Sequence, residues 1–158
     1  MIVQTTIDVD APVATVWQLF GEQFGEIADW ASSIERSRLD RGLGEGAVRT
    51  CDLVATGPFP ASVVTEELTT FDRDAHRLTY LVLSGLPGMM KRVENAWSLD
   101  DLGGGRTRIT SRLDFRLAWW ALPMVPVVNN QMKSALRGFV GELQAHTEGA
   151  ARAAAAVS

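Results

Sequence analysis

One long helical pattern closes the chain, and nothing like it occurs earlier. Val128, Met132, Ala135, Leu136, Phe139, Leu143 and His146 recur three or four residues apart, which places them on one face of a helix. Lys133, Arg137, Glu142 and Gln144 fall elsewhere on its circumference. The pattern predicts a helix that starts near Pro123 or Pro126 and runs to about Glu148. Gly138 and Gly141 each weaken it by about 1 kcal/mol relative to alanine. They also let a neighbouring backbone or a ligand come close. A chain of 158 residues with a single long helix at its end needs a broad sheet for that helix to pack on. Such an arrangement tends to leave a hollow between sheet and helix, where a small molecule can sit.

The length fits one domain, expected over residues 1–148, with the alanine-rich stretch from Gly149 to Ser158 expected to fray. Hydrophobic residues make up 46% and charged residues 22%, as in ordinary globular proteins. Fifteen basic against 19 acidic residues give a net charge of −4, which lacks the basic footprint of a nucleic-acid binder. Cys51 is the only cysteine, so the chain forms neither an internal disulfide nor a cysteine-based zinc site. Neither His76 nor His146 has a second histidine at ligand spacing, so no metal is expected. There is no Gly-x-Ser-x-Gly elbow, P-loop or dinucleotide fingerprint, so no cofactor is expected. The longest apolar run, Leu117 to Val128, has 12 residues and two prolines. A membrane-spanning helix needs about 20. Met1 to Thr6 lacks the regions of a signal peptide, and the expected location is the cytoplasm.

Ahead of the helix the pattern is mostly of strands. Ile2 to Val9 alternates apolar and polar residues. Asp10 and Pro12 suit the cap and first turn of a helix carrying Val13, Val16, Trp17 and Phe20. Gly21 and Gly25 break it, and a second short helix is expected over Glu26 to Ala31. Further strands are predicted at Ile34–Asp40, Ala47–Val54, Ser62–Phe71, Arg77–Leu83, Met89–Leu99 and Thr107–Trp119. Short Gly-, Pro- and Asp-rich turns join them, which implies an antiparallel meander.

Strand alternation assigns an inner face. Ile109, Ser111, Leu113, Phe115 and Leu117 share it on the last strand, and Val93, Asn95, Trp97 and Leu99 on the one before. Leu81 and Leu83 are expected inward with Thr79, leaving Tyr80 outward. Val64, Glu66 and Leu68, and Arg49, Cys51 and Leu53, complete the set. The expected ligand-binding residues are Arg49, Cys51, Val64, Glu66, Leu81, Leu83, Asn95, Trp97, Ser111, Leu113 and Phe115, with Met132 and Phe139 from the helix. Apolar walls with a few polar points suit a small-molecule site. Arg49 and Glu66 lie on adjacent strands and must pair if both are buried. An outer-face salt bridge is the competing reading.

Val9-Asp10-Ala11-Pro12-Val13-Ala14-Thr15-Val16-Trp17, Val64-Thr65-Glu66-Glu67-Leu68 and Leu78-Thr79-Tyr80, with this order of elements, resemble the SRPBCC superfamily. That group holds START-type lipid carriers, the birch-pollen allergen family and polyketide cyclase/dehydrase-like proteins. The resemblance implies an α+β helix-grip fold. In it a curved antiparallel sheet of about seven strands surrounds a long C-terminal helix, with two short helices after the first strand. It also implies two entrance loops, at Ala55–Ala61 and Ser84–Met90. In the related abscisic-acid receptors, matching strand positions carry an arginine and a glutamate that organise water around the ligand. The position nearest their ligand-holding lysine is Ser33 here, which argues against the same acidic ligand.

Three functions are compatible with these features. The first is binding or transport of a small hydrophobic ligand such as a lipid, polyketide or aromatic compound. The second is a polyketide cyclase, aromatase or dehydratase with Glu66 as base and Arg49 polarising a carbonyl. The third is a protein-interaction regulator that uses Trp119 to Pro126 as a contact lip. Ordinary packing beneath the helix start is the plainer account of that lip.

Overall fold

The computed structural model describes residues 1–56 and 60–157. Strand β1 (Ile2–Val9) leads into α1 (Val13–Trp17), a π-helical turn (Gln18–Glu22) and a 3-10 turn (Phe24–Asp29). Six strands follow: β2 (Ile34–Leu39), β3 (Val48–Leu53), β4 (Ser62–Asp72), β5 (Arg77–Ser84), β6 (Met90–Gly103) and β7 (Arg106–Leu117). A 3-10 turn (Trp119–Met124) then enters α2 (Val125–Val157). The seven strands form one antiparallel sheet in the order β1-β7-β6-β5-β4-β3-β2. The expected architecture therefore forms, with β1 beside the last strand and the rest a meander.

Alternation drives the sheet. Thr107, Ile109, Ser111, Leu113 and Phe115 of β7 are buried, and so are Val93, Asn95, Trp97 and Leu99 of β6. The register sets Val93 opposite Phe115, Asn95 opposite Leu113 and Trp97 opposite Ser111. Register shifts interrupt β4–β5 and both ends of β6–β7; such bulges bend a strand.

Helix α2 packs against β1 and α1. It buries Val128, Leu136, Val140, Leu143 and Thr147, the aliphatic ones contributing roughly 1.5–3 kcal/mol each. The buried Thr147 hydroxyl donates to the Leu143 carbonyl at 2.9 Å. Around α1 the space between sheet and helix is filled by Val16, Trp17, Phe20, Leu78, Leu99, Ile109, Val140 and Leu143.

Two local expectations differ from what forms. The helix does not end near Glu148 but continues to Val157. Alanine has the highest helix propensity, so the run Ala150 to Ala156 propagates a helix already nucleated upstream. Its partial negative end therefore lies well beyond His146, which stacks on Trp30 with ring centroids 5.9 Å apart. Asp10 does not cap α1, whose N-cap is Pro12 with no side-chain cap bond. Its carboxylate accepts from Arg106 at 3.1 Å, and its backbone N–H donates to Glu148 at 3.0 Å.

Gly85 holds the β5–β6 connection against β4. Its φ is +88°, and a Cβ there would lie 2.1 Å from the Val63 carbonyl oxygen. Only glycine fits that approach.

Candidate functional site

Away from α1 the core opens into a cavity of about 380 Å³ between β5–β7 and the middle of α2. Its apolar wall is Trp97, Leu113, Met132, Ala135, Leu136 and Phe139, with Gly138. A Cβ at Gly138 would meet no atom within 4 Å. Glycine on this turn of α2 thus enlarges the space rather than admitting another backbone.

The polar points fall at two ends. Ser32, Ser33, Thr56 and Glu142 line the mouth. Glu142 accepts from the Ser32 backbone N–H at 3.2 Å and from the Ser32 hydroxyl, tying α2 to the turn before β2. At the inner end are Tyr80 and Asn95. The buried Ser111 hydroxyl donates to Asn95 Oδ1 at 2.8 Å, and Asn95 Nδ2 donates to the Tyr80 hydroxyl at 3.3 Å. That chain leaves the Tyr80 proton free to point to another acceptor. Burial pushes the Tyr80 hydroxyl up to about 12 from 10.0, and the nearby Glu66 carboxylate adds to the rise. It is a neutral donor at physiological pH. Beside it, Trp97 lines the cavity, and its buried Nε1–H lies toward the Tyr80 hydroxyl without a hydrogen bond of normal geometry.

Arg49 and Glu66 lie inside the sheet but do not line the cavity. They face each other across β3 and β4. Arg49 is 2% exposed. It donates to Glu66 Oε2 from Nε at 2.9 Å and Nη2 at 2.5 Å, and from Nη1 to the Phe24 carbonyl at 2.9 Å. Its guanidinium stacks on Phe24 at 3.7 Å and lies 5.3 Å from the Tyr80 ring centroid. Tyr80 thus stands between this pair and the hollow. Cys51 and Val64 pack nearby with Ile27, Ala31 and Ile34 beneath the short helices. Burial pushes the Cys51 thiol up to about 11, which suppresses thiolate formation.

Of the residues expected at the site, Asn95, Trp97, Leu113, Met132 and Phe139 line the cavity. Ser111 supports Asn95 from behind, and Phe115 is fully buried core. Leu81 and Leu83 need correction. On β5 the residues packed against the core are Leu78, Tyr80 and Val82. Leu81 pairs with Glu67 and Glu94 on the outer face, and Leu83 is 50% exposed. Both alternate sets of this strand are apolar, so composition gave no phase. Tyr80, expected outward, was missed for that reason. Glu142 was missed because it was placed off the apolar face, although Gly138 and Glu142 lie one turn apart beside it. Of the two expected entrance loops, residues 57–59 of the first lie outside the described residues; its Thr56 lines the mouth. The second, Ser84 to Met90, lines instead a separate cavity of about 340 Å³ through Pro87, Met89 and Met90.

The lip at the start of α2 is exposed. Trp119 is 82% and Trp120 53% exposed, with Leu122, Met124 and Val127 also outward. Ordinary packing beneath the helix does not describe it. No group of three side chains suited to holding a metal occurs among the described residues. No helix of the described chain is long and apolar enough to cross a membrane.

A family model described as polyketide cyclase / dehydrase and lipid transport matches residues 1–148. Solved structures share the fold at low identity. A START superfamily protein from Mycobacterium smegmatis is 16% identical with a TM-score of 0.77, covering 94% of this chain and 97% of that one. The protein TTHA0849 from Thermus thermophilus is 18% identical at 0.77, covering 95% and 99%. Zhui aromatase/cyclase from Streptomyces sp. R1128 is 19% identical at 0.67, covering 90% and 93%. No curated protein sequence matches the chain.

Proposed function

The chain belongs to the polyketide cyclase / dehydrase and lipid transport family, and from that premise we propose that it binds a small, largely apolar molecule between sheet and α2. The observation that carries this reading is the cavity of about 380 Å³, apolar along its walls and ending on a tyrosine donor. Its volume lies at the small end of ligand pockets, which run from about 300 to 1,000 Å³. That size suits a ring system or a single short acyl chain better than a two-chain lipid.

The polar groups refine the ligand class. Tyr80 offers a proton that its bond from Asn95 leaves unused, so the buried end of the ligand carries an acceptor oxygen such as a carbonyl or ether. Among the described residues the only formally charged group on the wall is Glu142, at the mouth. An acidic ligand would meet that carboxylate and no free cation, because Arg49 already serves Glu66. A neutral or cationic molecule is therefore the better match.

The cyclase or dehydratase reading rested on Glu66 and Arg49. With Arg49 donating twice to one Glu66 oxygen, that carboxylate is held as an ion-pair partner behind Tyr80, away from the cavity. Binding without these two as acid and base is the reading the geometry favours.

Native mass spectrometry of freshly purified protein tests the proposal. A retained neutral or cationic compound of defined mass, released on denaturation, is the expected result. Apoprotein alone, together with no saturable binding of any apolar aromatic probe, would overturn it.

A further inference from the structure

The second cavity and the exposed lip form one surface that shares only Met132 with the proposed ligand site. Four of the five methionines, Met89, Met90, Met124 and Met132, line this groove of about 340 Å³. Trp119, Trp120 and Leu122 on the adjoining turn and Val127 at the start of α2 are more than half exposed. Large aromatic side chains left this open on one turn mark a contact surface.

Charge is distributed to match. The two segments that build the lip, residues 84–93 and 115–141, carry five cations and no carboxylate. The rest of the chain holds ten cations and 19 carboxylates. Both lysines of the protein, Lys91 and Lys133, directly follow groove residues Met90 and Met132. Arg116 pairs in register with Arg92 at the same end of the sheet. Arg92 is bound to Glu94, but among the described residues Lys91, Arg116 and Lys133 form no salt bridge.

We propose that this face docks on an anionic membrane surface, with Trp119 and Trp120 at the headgroup level and Lys91, Arg116 and Lys133 against lipid phosphates. Tryptophan favours the interface between water and hydrocarbon. A protruding apolar turn enters a fluid bilayer without needing a complementary pocket. Flexible methionines suit a groove that must adapt to acyl chains. A second copy of the chain is a poor occupant, because a two-fold contact sets Lys91, Arg116 and Lys133, which form no salt bridge among the described residues, against the same cations. The otherwise acidic surface would orient the molecule with only this end toward the membrane. Met132 lines both cavities, so the docked face adjoins the proposed ligand site, but the docking inference stands apart from that reading.

Co-sedimentation with vesicles of phosphatidylglycerol and phosphatidylcholine in equal parts tests it, with pure phosphatidylcholine vesicles as the comparison. Binding to the anionic vesicles that weakens with salt is expected. Lys91→Gln with Lys133→Gln should weaken it roughly 30-fold, at about 1 kcal/mol per cation. Trp119→Ala with Trp120→Ala should abolish it while leaving probe binding in the inner cavity unchanged. No binding to anionic vesicles, or binding unaffected by the tryptophan pair, would overturn the proposal. So would a wild-type dimer in sedimentation equilibrium that the tryptophan variant splits, which would assign the face to a second copy.

Discussion

Two polar clusters sit inside this sheet, about one side chain apart, and they are built on opposite principles. Arg49–Glu66 is charged, closed and satisfied by its own members and the Phe24 carbonyl. Ser111–Asn95–Tyr80 is neutral and ends on a hydroxyl at the cavity wall. Buried charges must be paired, and pairing removes them from ligand chemistry. A neutral hydrogen-bond chain costs less to bury and can leave one donor over. In this fold the charged pair holds the wall together and the neutral chain faces the cavity.

Breaking the charged pair should give the largest change. Arg49→Met leaves Glu66 unpaired beneath the short helices and should cost about 3–5 kcal/mol in denaturant unfolding. Adding Glu66→Leu should restore most of that loss. If the single variant unfolds like wild type, the pair is not the structural element described.

The neutral chain should show the reverse profile. Tyr80→Phe keeps the ring over Arg49 and removes the hydroxyl. Stability should fall by about 1 kcal/mol or less, while affinity for a carbonyl-bearing ligand drops roughly tenfold, the worth of one hydrogen bond. Isothermal titration with the retained ligand would read the two effects separately.

The contrast between these clusters also marks what the sequence conveyed. The long helical stripe and the β-strand alternation made the sheet, its strand count and the enclosed hollow legible. Inward placement of Asn95 and Ser111 followed from alternation on strands where one face is plainly polar, whereas for Arg49 and Glu66 alternation left an outer-face salt bridge equally open. β5 lacked that signal, since Leu78, Tyr80 and Val82 compete with Leu81 and Leu83, and a one-residue slip exchanges the faces. Which inward residues touch empty space is set by side-chain volumes summed over several elements. No single strand records that, so Glu142 stood out only in three dimensions, and only there did Gly138 separate from Gly141.

Two of the glycines in α2 separate cavity from scaffold. Gly141→Ala should raise stability by up to about 1 kcal/mol with ligand affinity unchanged. Gly138→Ala should raise it similarly but weaken ligand binding, because its methyl enters the cavity. Thermal unfolding and the same titration check both. Equal affinities for the two variants would remove Gly138 from the wall.

A further expected effect is alkaline. A phenol whose pKa is higher in the folded than the unfolded chain holds its proton more tightly when folded. Its stabilising contribution is complete below the ordinary value of 10.0 and is lost as pH rises through about 12. Tyr80 is the only tyrosine, so phenolate absorbance reports it alone. Ionisation near 10 in the folded protein would mean that it is not enclosed.

The central claim is that the hollow, and not the Arg49–Glu66 pair, is where a ligand sits. Titrating an apolar aromatic fluorescent probe into wild type, Gly138→Leu and the Arg49→Met/Glu66→Leu double variant tests this most directly. The account predicts one saturable site in wild type, kept in the double variant and lost by tenfold or more when leucine fills the cavity. Undiminished binding to Gly138→Leu, or loss confined to the double variant, would contradict it.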